Sequence, residues 1–144
     1  MSESIERVLA KKGSDVLTVA PDDSVGEAVR RLADRNVGAV VVLDGGSVVG
    51  VMSERDVVRR LAVDHDVLGL PVRDVMTSPV TTCTSSSTTD ELARTMTDGR
   101  FRHVPVVDDD QLVGIVSIGD VVKRRLDELE MQTEQLTGYV SGTY

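Results

Sequence analysis

Residues 50–56 read GVMSERD and residues 114–120 read GIVSIGD. In both, an apolar segment passes through a glycine into Ser-x-x-Asp, and a valine pair follows at once, Val57-Val58 and Val121-Val122. The offset of 64 residues persists through the flanking sequence. The chain is therefore one unit written twice, and such a repeat decides the architecture before any local pattern does. Ser-x-x-Asp has two readings. As a capping box, Ser53 or Ser117 takes a backbone N–H of the first helical turn, and Asp56 or Asp120 reaches back to the N-cap amide. As a ligand site, the free N–H groups and the positive helix end attract an anion, the hydroxyl donates to a phosphate oxygen, and the carboxylate accepts from ribose hydroxyls. A single copy is more often a cap; two copies in register inside a longer repeat favour the ligand site.

Outward from these motifs, each unit reads strand, helix, strand, strand, helix. In the first, a helix over Ser2 to Lys12, with Ile5, Val8 and Leu9 on one face, precedes a strand at Asp15 to Val19. Ser24 and Glu27 make a capping box, opening a helix whose buried face is Val25, Ala28, Val29 and Leu32. Asn36 to Gly38 is its exit. Ala39 to Leu43 is a buried β-branched strand, Asp44-Gly45-Gly46 a hairpin turn, and Val48 to Met52 the return strand. A helix from Ser53 to about Ala62 closes the unit. The second unit substitutes Val80 to Cys83 for the first strand, Thr88 with Glu91 for the capping box, and Thr89, Leu92, Ala93 and Met96 for the buried face. His103 to Val107, the turn Asp108-Asp109-Asp110 and Leu112 to Val116 supply the hairpin. The boundaries that follow are residues 5–64 and 72–130 for the repeats and 131–144 for a C-terminal extension.

The connection from Val63 to Met76 holds Asp64-His65-Asp66. Consecutive side chains diverge and no companion ligands follow, so a solvated loop rather than a metal site is expected. The last helix runs from Ser117 past Leu126 and Leu129. The tail beyond it, with Met131, Leu136, Tyr139 and Tyr144, has no counterpart in the first unit; it either packs as a helix on the module or on a partner, or frays.

Composition bounds the function. A chain of 144 residues buries a core, but each half alone is marginal. Aromatic residues are 2% of the chain, so the core is aliphatic. A net charge of −8 argues against sequence-independent nucleic-acid binding, which depends on basic residues neutralising phosphates, and leaves room for a local basic pocket. The single cysteine, Cys83, aligns with Val19 and reads as a small buried apolar group in a reducing compartment. The N-terminal residues MSESIERVLAKKG carry no apolar signal core and no run reaches membrane-spanning length, which points to a cytoplasmic protein without a membrane partner.

Paired β-α-β-β-α units, each closed by G-h-h-S-x-x-D (h, hydrophobic), resemble the tandem CBS-domain, or Bateman, module. RDVMTSPVTT at Arg73 to Thr82, FRHVPVVD at Phe101 to Asp108 and GVMSERDVVRRL at Gly50 to Leu61 carry the resemblance, which covers roughly residues 5 to 130. It implies an α+β fold in which two repeats pack sheet to sheet about a pseudo-twofold axis, with clefts between them. It also implies a stand-alone regulatory module that binds an adenosine-containing ligand, whether AMP, ADP, ATP, S-adenosylmethionine or an NAD-type dinucleotide, with no metal required. A homodimer paired through its helices and an unknown protein partner are further expectations; the valine pairs at the helix starts would serve the dimer or, equally, the core.

Carried over residue by residue, the resemblance implies one site at Ser117, Gly119 and Asp120. Ser14, Leu17, Val37, Gly38 and Ala39 would line its base pocket, and Arg102 and His103 would face phosphate. The other site would use Ser53, Arg55 and Asp56, with Thr77, Thr81 and Phe101 near the base. Arg55 can fork two hydrogen bonds to phosphate, or form a weak surface ion pair with Glu54 or Asp56. His103 near phosphate would bind better protonated, with a pH dependence near its ordinary pKa of about 6.5. Lys11 and Lys12 could supply charge to a phosphate, but they read more simply as exposed helix-end lysines. The copies also depart from each other: VLAKKGS replaces RDVMTS, and Gly119 replaces Arg55, so the two sites should differ in affinity. A module with degenerate sites that serves only assembly is the alternative. An enzyme is not expected, because no nucleophile–base pair, metal cluster or P-loop is present.

Overall fold

The computed structural model describes residues 3–141. Ser2 and Tyr144 lie outside the described residues, as does the side chain of Tyr139. Helix α1 (Ile5–Lys12) starts later than Ser2 because Ser4 is its N-cap, accepting from the Arg7 amide; Gly13, at φ +98°, ends it. Strand β1 (Thr18–Val19) is shorter than the expected Asp15 to Val19, since only these two residues pair, in parallel, with β2 (Ala39–Asp44). Between them, α2 (Val25–Arg35) is capped by Ser24. The reciprocal half of that capping box is absent: Glu27 turns outward to Arg30 at 2.9 Å. β2 returns through Gly45 and Gly46, both at positive φ, into antiparallel β3 (Ser47–Ser53), and α3 (Glu54–Leu61) follows.

The second repeat keeps the same register. Helix α4 (Thr89–Gly99) has the complete capping box of Thr88 and Glu91; β4 (His103–Asp108) and β5 (Gln111–Ser117) form the hairpin, and α5 (Ile118–Ser141) follows. Even the irregularity between Val42 and Leu43 recurs between Val106 and Val107. The expected strand at Val80 to Cys83 is reduced to one parallel bridge, Cys83 to Val106. The cause is Pro105. In the first repeat the Val41 amide donates to Leu17 O at 2.9 Å, and Pro105, at the equivalent position, has no N–H to give. The segment before Cys83 is thereby released from the sheet.

Period-two alternation builds two cores. Val40, Val42 and Met52 point toward α2, with Val25, Ala28 and Leu32; Val104, Val106 and Val116 point toward α4, with Leu92 and Met96. Val41 and Val51, buried on the opposite face, turn toward the other sheet, and β3 packs on β5. Each core is completed by the segment that leads into the other repeat. Helix α1 seals the second core with Ile5, Val8 and Leu9, while Val67, Val72 and Val75 of the connection seal the first. Gly50 and Gly114 are where these segments cross the sheets: a Cβ at Gly114 would lie 2.7 Å from Leu9, and one at Gly50 would lie 2.5 Å from Met76. The valine pairs split. Val57 and Val121 pack inward, whereas Val58 and Val122 face out.

Candidate ligand cleft between the repeats

Ser53 and Asp56 close the capping box expected of them. The Ser53 amide donates to Asp56 Oδ2 at 2.8 Å, the Ser53 hydroxyl to the same oxygen at 3.1 Å, and the Asp56 amide to Ser53 Oγ at 3.3 Å. Among the described residues Asp56 Oδ1 accepts only from the Thr77 hydroxyl, at 3.1 Å. A carboxylate offers about four lone-pair sites, so this oxygen retains room for another donor. Thr77 is held by a two-way backbone bridge to Val51 at 2.8 and 3.2 Å. From there the chain passes through the cis Ser78–Pro79 bond to Val80 and Thr81, which Pro105 has freed from the sheet.

These residues form one wall of a cleft, and Arg100, Phe101, Arg102 and His103 from the start of β4 form the other. Ser53, Arg55, Asp56, Thr77, Thr81 and Phe101, expected together, are indeed together here. Gly38, Arg102 and His103, assigned above to the other site, line the same cleft. Gly38 sits beneath the Glu54 carboxylate and the His103 ring, 2.9 and 3.4 Å from where a Cβ would stand. The Phe101 ring lies over Gly99, where no side chain would fit. Glu54, Arg59 and Arg100 also line the cleft and were not singled out in the sequence. Arg59 was legible, four residues after Arg55 and so on the same helical face. Arg100 carries a subtler signal. It aligns with Asn36, and both are left-handed helix C-caps, at φ 58° and 53°. Asn accepts that conformation readily and Arg does not.

Four arginines, Arg55, Arg59, Arg100 and Arg102, thus converge on one cleft of an acidic chain. None of the four guanidinium groups has a carboxylate or hydrogen-bond partner among the described residues, so Arg55 makes neither of the surface ion pairs considered for it. Burial lowers the His103 pKa; Asp120 and Glu54 oppose this and Lys12 and Arg102 add to it, leaving it below the ordinary 6.5. Its titration therefore falls below the expected range.

The second Ser-x-x-Asp is arranged differently. The Ser117 amide donates to Asp120 Oδ2 at 2.8 Å, and the Asp120 amide to Ser117 Oγ at 3.1 Å. Lys12, far from being a free surface lysine, places its ammonium 2.6 Å from Asp120 Oδ2 and 2.7 Å from Ile115 O. Lys11 pairs with Glu3 at 3.3 Å. Burial raises the Asp120 pKa, but the Lys12 and Ser117 hydrogen bonds outweigh it and hold the carboxyl below its usual range. Ser117, Gly119, Asp120, Ser14, Leu17, Val37 and Ala39 are not part of the arginine-lined cleft. Leu17 packs on the first core, Ala39 is buried and Val37 is exposed.

The family model for the CBS domain matches residues 6–63 and again 72–127. The chain belongs to the CBS-domain family. A CBS-domain containing protein of Agrobacterium tumefaciens has a crystal structure that superposes with a TM-score of 0.82 at 48% identity, covering 85% of this chain and 99% of that one. The mitochondrial CBS domain-containing protein CBSX3 of Arabidopsis thaliana is 34% identical over 99% of this chain and 74% of its own length. The CBS domain pair of protein MJ0100, crystallised with 5′-methylthioadenosine and S-adenosyl-L-methionine, superposes with a TM-score of 0.79 at 25% identity, covering 89% of this chain and 99% of that chain. The fold is therefore a CBS pair, a regulatory type of module with two packed repeats. No helix among the described residues is long and apolar enough to cross a membrane.

Proposed function

We propose that this CBS pair is a cytoplasmic, non-enzymatic sensor that binds an adenosine-containing ligand bearing two or more phosphates, such as ATP, ADP or an NAD-type dinucleotide, and so modulates a protein partner. The observation that carries this is the set of four arginines, without side-chain partners among the described residues, that line one cleft together with Asp56. Asp56 Oδ1 would take a ribose hydroxyl beside or in place of Thr77. Arg55 and Arg59, on one helical face, and Arg100 and Arg102, on the opposite wall, would hold phosphate oxygens; guanidinium forks suit that geometry. Phe101 would meet the base. The adenosine ligands seen in the MJ0100 pair support the nucleoside half of this reading, and the arginines argue for a more anionic ligand than a sulfonium or an uncharged thioether.

Thermal unfolding against AMP, ADP, ATP, NAD, NADH and S-adenosylmethionine tests it. A ligand at 100 times its Kd adds about 2.7 kcal/mol, which raises the midpoint by roughly 2–4 °C per kcal/mol for a domain of this size. The expected order places ATP, ADP and the dinucleotides above S-adenosylmethionine, with the shift lost in Arg55→Ala/Arg102→Ala. No shift with any ligand at millimolar concentration, or a shift unchanged in that variant, overturns it.

A further inference from the structure

We propose that the C-terminal part of α5 is one strand of a parallel, in-register two-stranded coiled coil formed with a second copy of this chain. This rests on no assumption about the ligand. The family match ends at residue 127, yet α5 continues to Ser141. Every described side chain from Leu129 to Thr137 is exposed. A helix of this length with nothing against its apolar face is marginal in water, because most helical stability comes from packing. The start of α5 is fixed on the module through Val121 and through Arg124, which bonds Glu3 at 2.7 Å. Helix nucleation is therefore already provided for, and what lacks a contact is one face.

That face has a regular spacing. Val122, Leu126, Leu129, Thr133 and Leu136 follow one another at intervals of four, three, four and three, which are the d, a, d, a and d positions of consecutive heptads. The four aliphatic members are exposed by 51%, 55%, 49% and 65%. At 3.6 residues per turn this seam lies about a third of a turn from the face that holds Val121, Arg124 and Glu128, so pairing along it leaves the module packing untouched. Thr133, the one polar member, gives its hydroxyl to Leu129 O at 2.9 Å within its own helix, and its burial strands no donor.

Charge and side-chain size identify the occupant as a second copy and set the direction. Arg125 occupies a g position and Glu130 the e position that follows, so a parallel pair places each Arg125 beside the partner helix's position 130, twice by symmetry. Among the described residues of the single chain Arg125 pairs only with Glu128 at 3.4 Å and Asp90 at 3.8 Å, and Glu130 has no ion pair. The antiparallel register that pairs Lys123 with Glu130 would set Leu136 against Gly119, leaving the most exposed leucine without a side chain to meet, and the register one heptad along would set Glu130 against Glu130. Parallel alignment stacks Leu129 on Leu129 and Leu136 on Leu136.

Sedimentation and light scattering of the full chain, with Leu129→Arg, Leu136→Cys and Arg125→Glu/Glu130→Arg variants, test this. The expected results are a dimer at micromolar concentration and half that mass for Leu129→Arg, with the circular dichroism of the module retained. An interchain disulfide should form in oxidised Leu136→Cys, and dimerisation should be lost in Arg125→Glu alone and recovered in the charge-swapped double variant. A monomeric wild type, a dimer that survives Leu129→Arg, or a dimer whose Leu136→Cys variant does not cross-link each overturns the proposal. The second of these would place the interface elsewhere, for instance on Val58 of α3, and the third would make the pair antiparallel.

Discussion

Two residues with the same backbone problem show how cost and use separate at single positions. Arg100 and Asp110 both sit in the left-handed region, at φ 58° and 61°, where a side chain costs about 1–2 kcal/mol and glycine saves that at about 0.5–1 kcal/mol of lost chain entropy. Arg100→Gly and Asp110→Gly are therefore each expected to raise the unfolding midpoint of the free protein by a degree or more. Their binding should differ. Asp110 lies in the hairpin turn where the first repeat has Gly46, and its replacement should leave nucleotide affinity unchanged. Arg100 faces the cleft, and losing a charged hydrogen-bond donor of about 1.5 kcal/mol or more should weaken ATP by roughly tenfold. Calorimetry of both variants checks the pair. An Arg100→Gly protein that is stabilised and binds normally would mean that the strained arginine is not there for a ligand.

The helices and strands were largely legible because each carries its own period: the α2 and α4 faces, the two hairpins and the capping residues at Ser53 and Ser117 all stand where spacing puts them. The losses occurred where a tertiary partner decides. Nothing local in Val80 to Cys83 denies it a strand; the missing N–H is on Pro105, on the strand it would join. Helix α1 reads as an amphipathic helix, but its destination, the core of the other repeat, is set by the chain crossing at Gly114. That crossing predicts that Gly114→Ala, whose Cβ would press on Leu9 at 2.7 Å, destabilises by about 1–3 kcal/mol, measurable by urea unfolding. The same docking is tied at its edge by Glu3. The Arg124 hydrogen bonds hold its carboxyl below its ordinary 4.5, against an opposing effect of burial and with help from Lys11. A depressed folded pKa contributes stability that is complete above the unfolded value and disappears as pH falls through the folded one. Glu3→Gln should therefore lower the midpoint at pH 7, by an amount worth about 1 kcal/mol, and the gap to wild type should close as pH is taken from 5 toward 3. A gap that persists at pH 3 would assign Glu3 a packing role instead.

At the scale of the molecule, two copies related by a pseudo-twofold axis have been made unequal by a few substitutions, and the inequality predicts stoichiometry. In the first repeat's motif the helix presents Arg55, and Met76 crosses Gly50. At the equivalent positions of the second stand Gly119 and Lys12. Lys12 already holds Asp120 Oδ2, which also accepts from the Ser117 amide, and Ile115 O, two of the acceptors a ligand hydroxyl would approach. With both partners partly shielded, at 30% and 22% side-chain exposure, an uncharged hydroxyl is a poor competitor for a charged hydrogen bond. One nucleotide per chain is the expected calorimetric result. Making the second motif resemble the first, with Lys12→Met and Gly119→Arg, should raise that to two. The change is tolerable where it is made: a Cβ at Gly119 meets nothing closer than Ser117 Oγ at 3.5 Å, and replacing a helical glycine is favourable by roughly 0.5–1 kcal/mol. Two sites in the wild type would show that Lys12 yields to the ligand. One site in the double variant would show instead that the segment before β1, which the Val41 amide ties to the sheet at Leu17 O where Pro105 frees its counterpart, leaves no room for a base regardless of the charges.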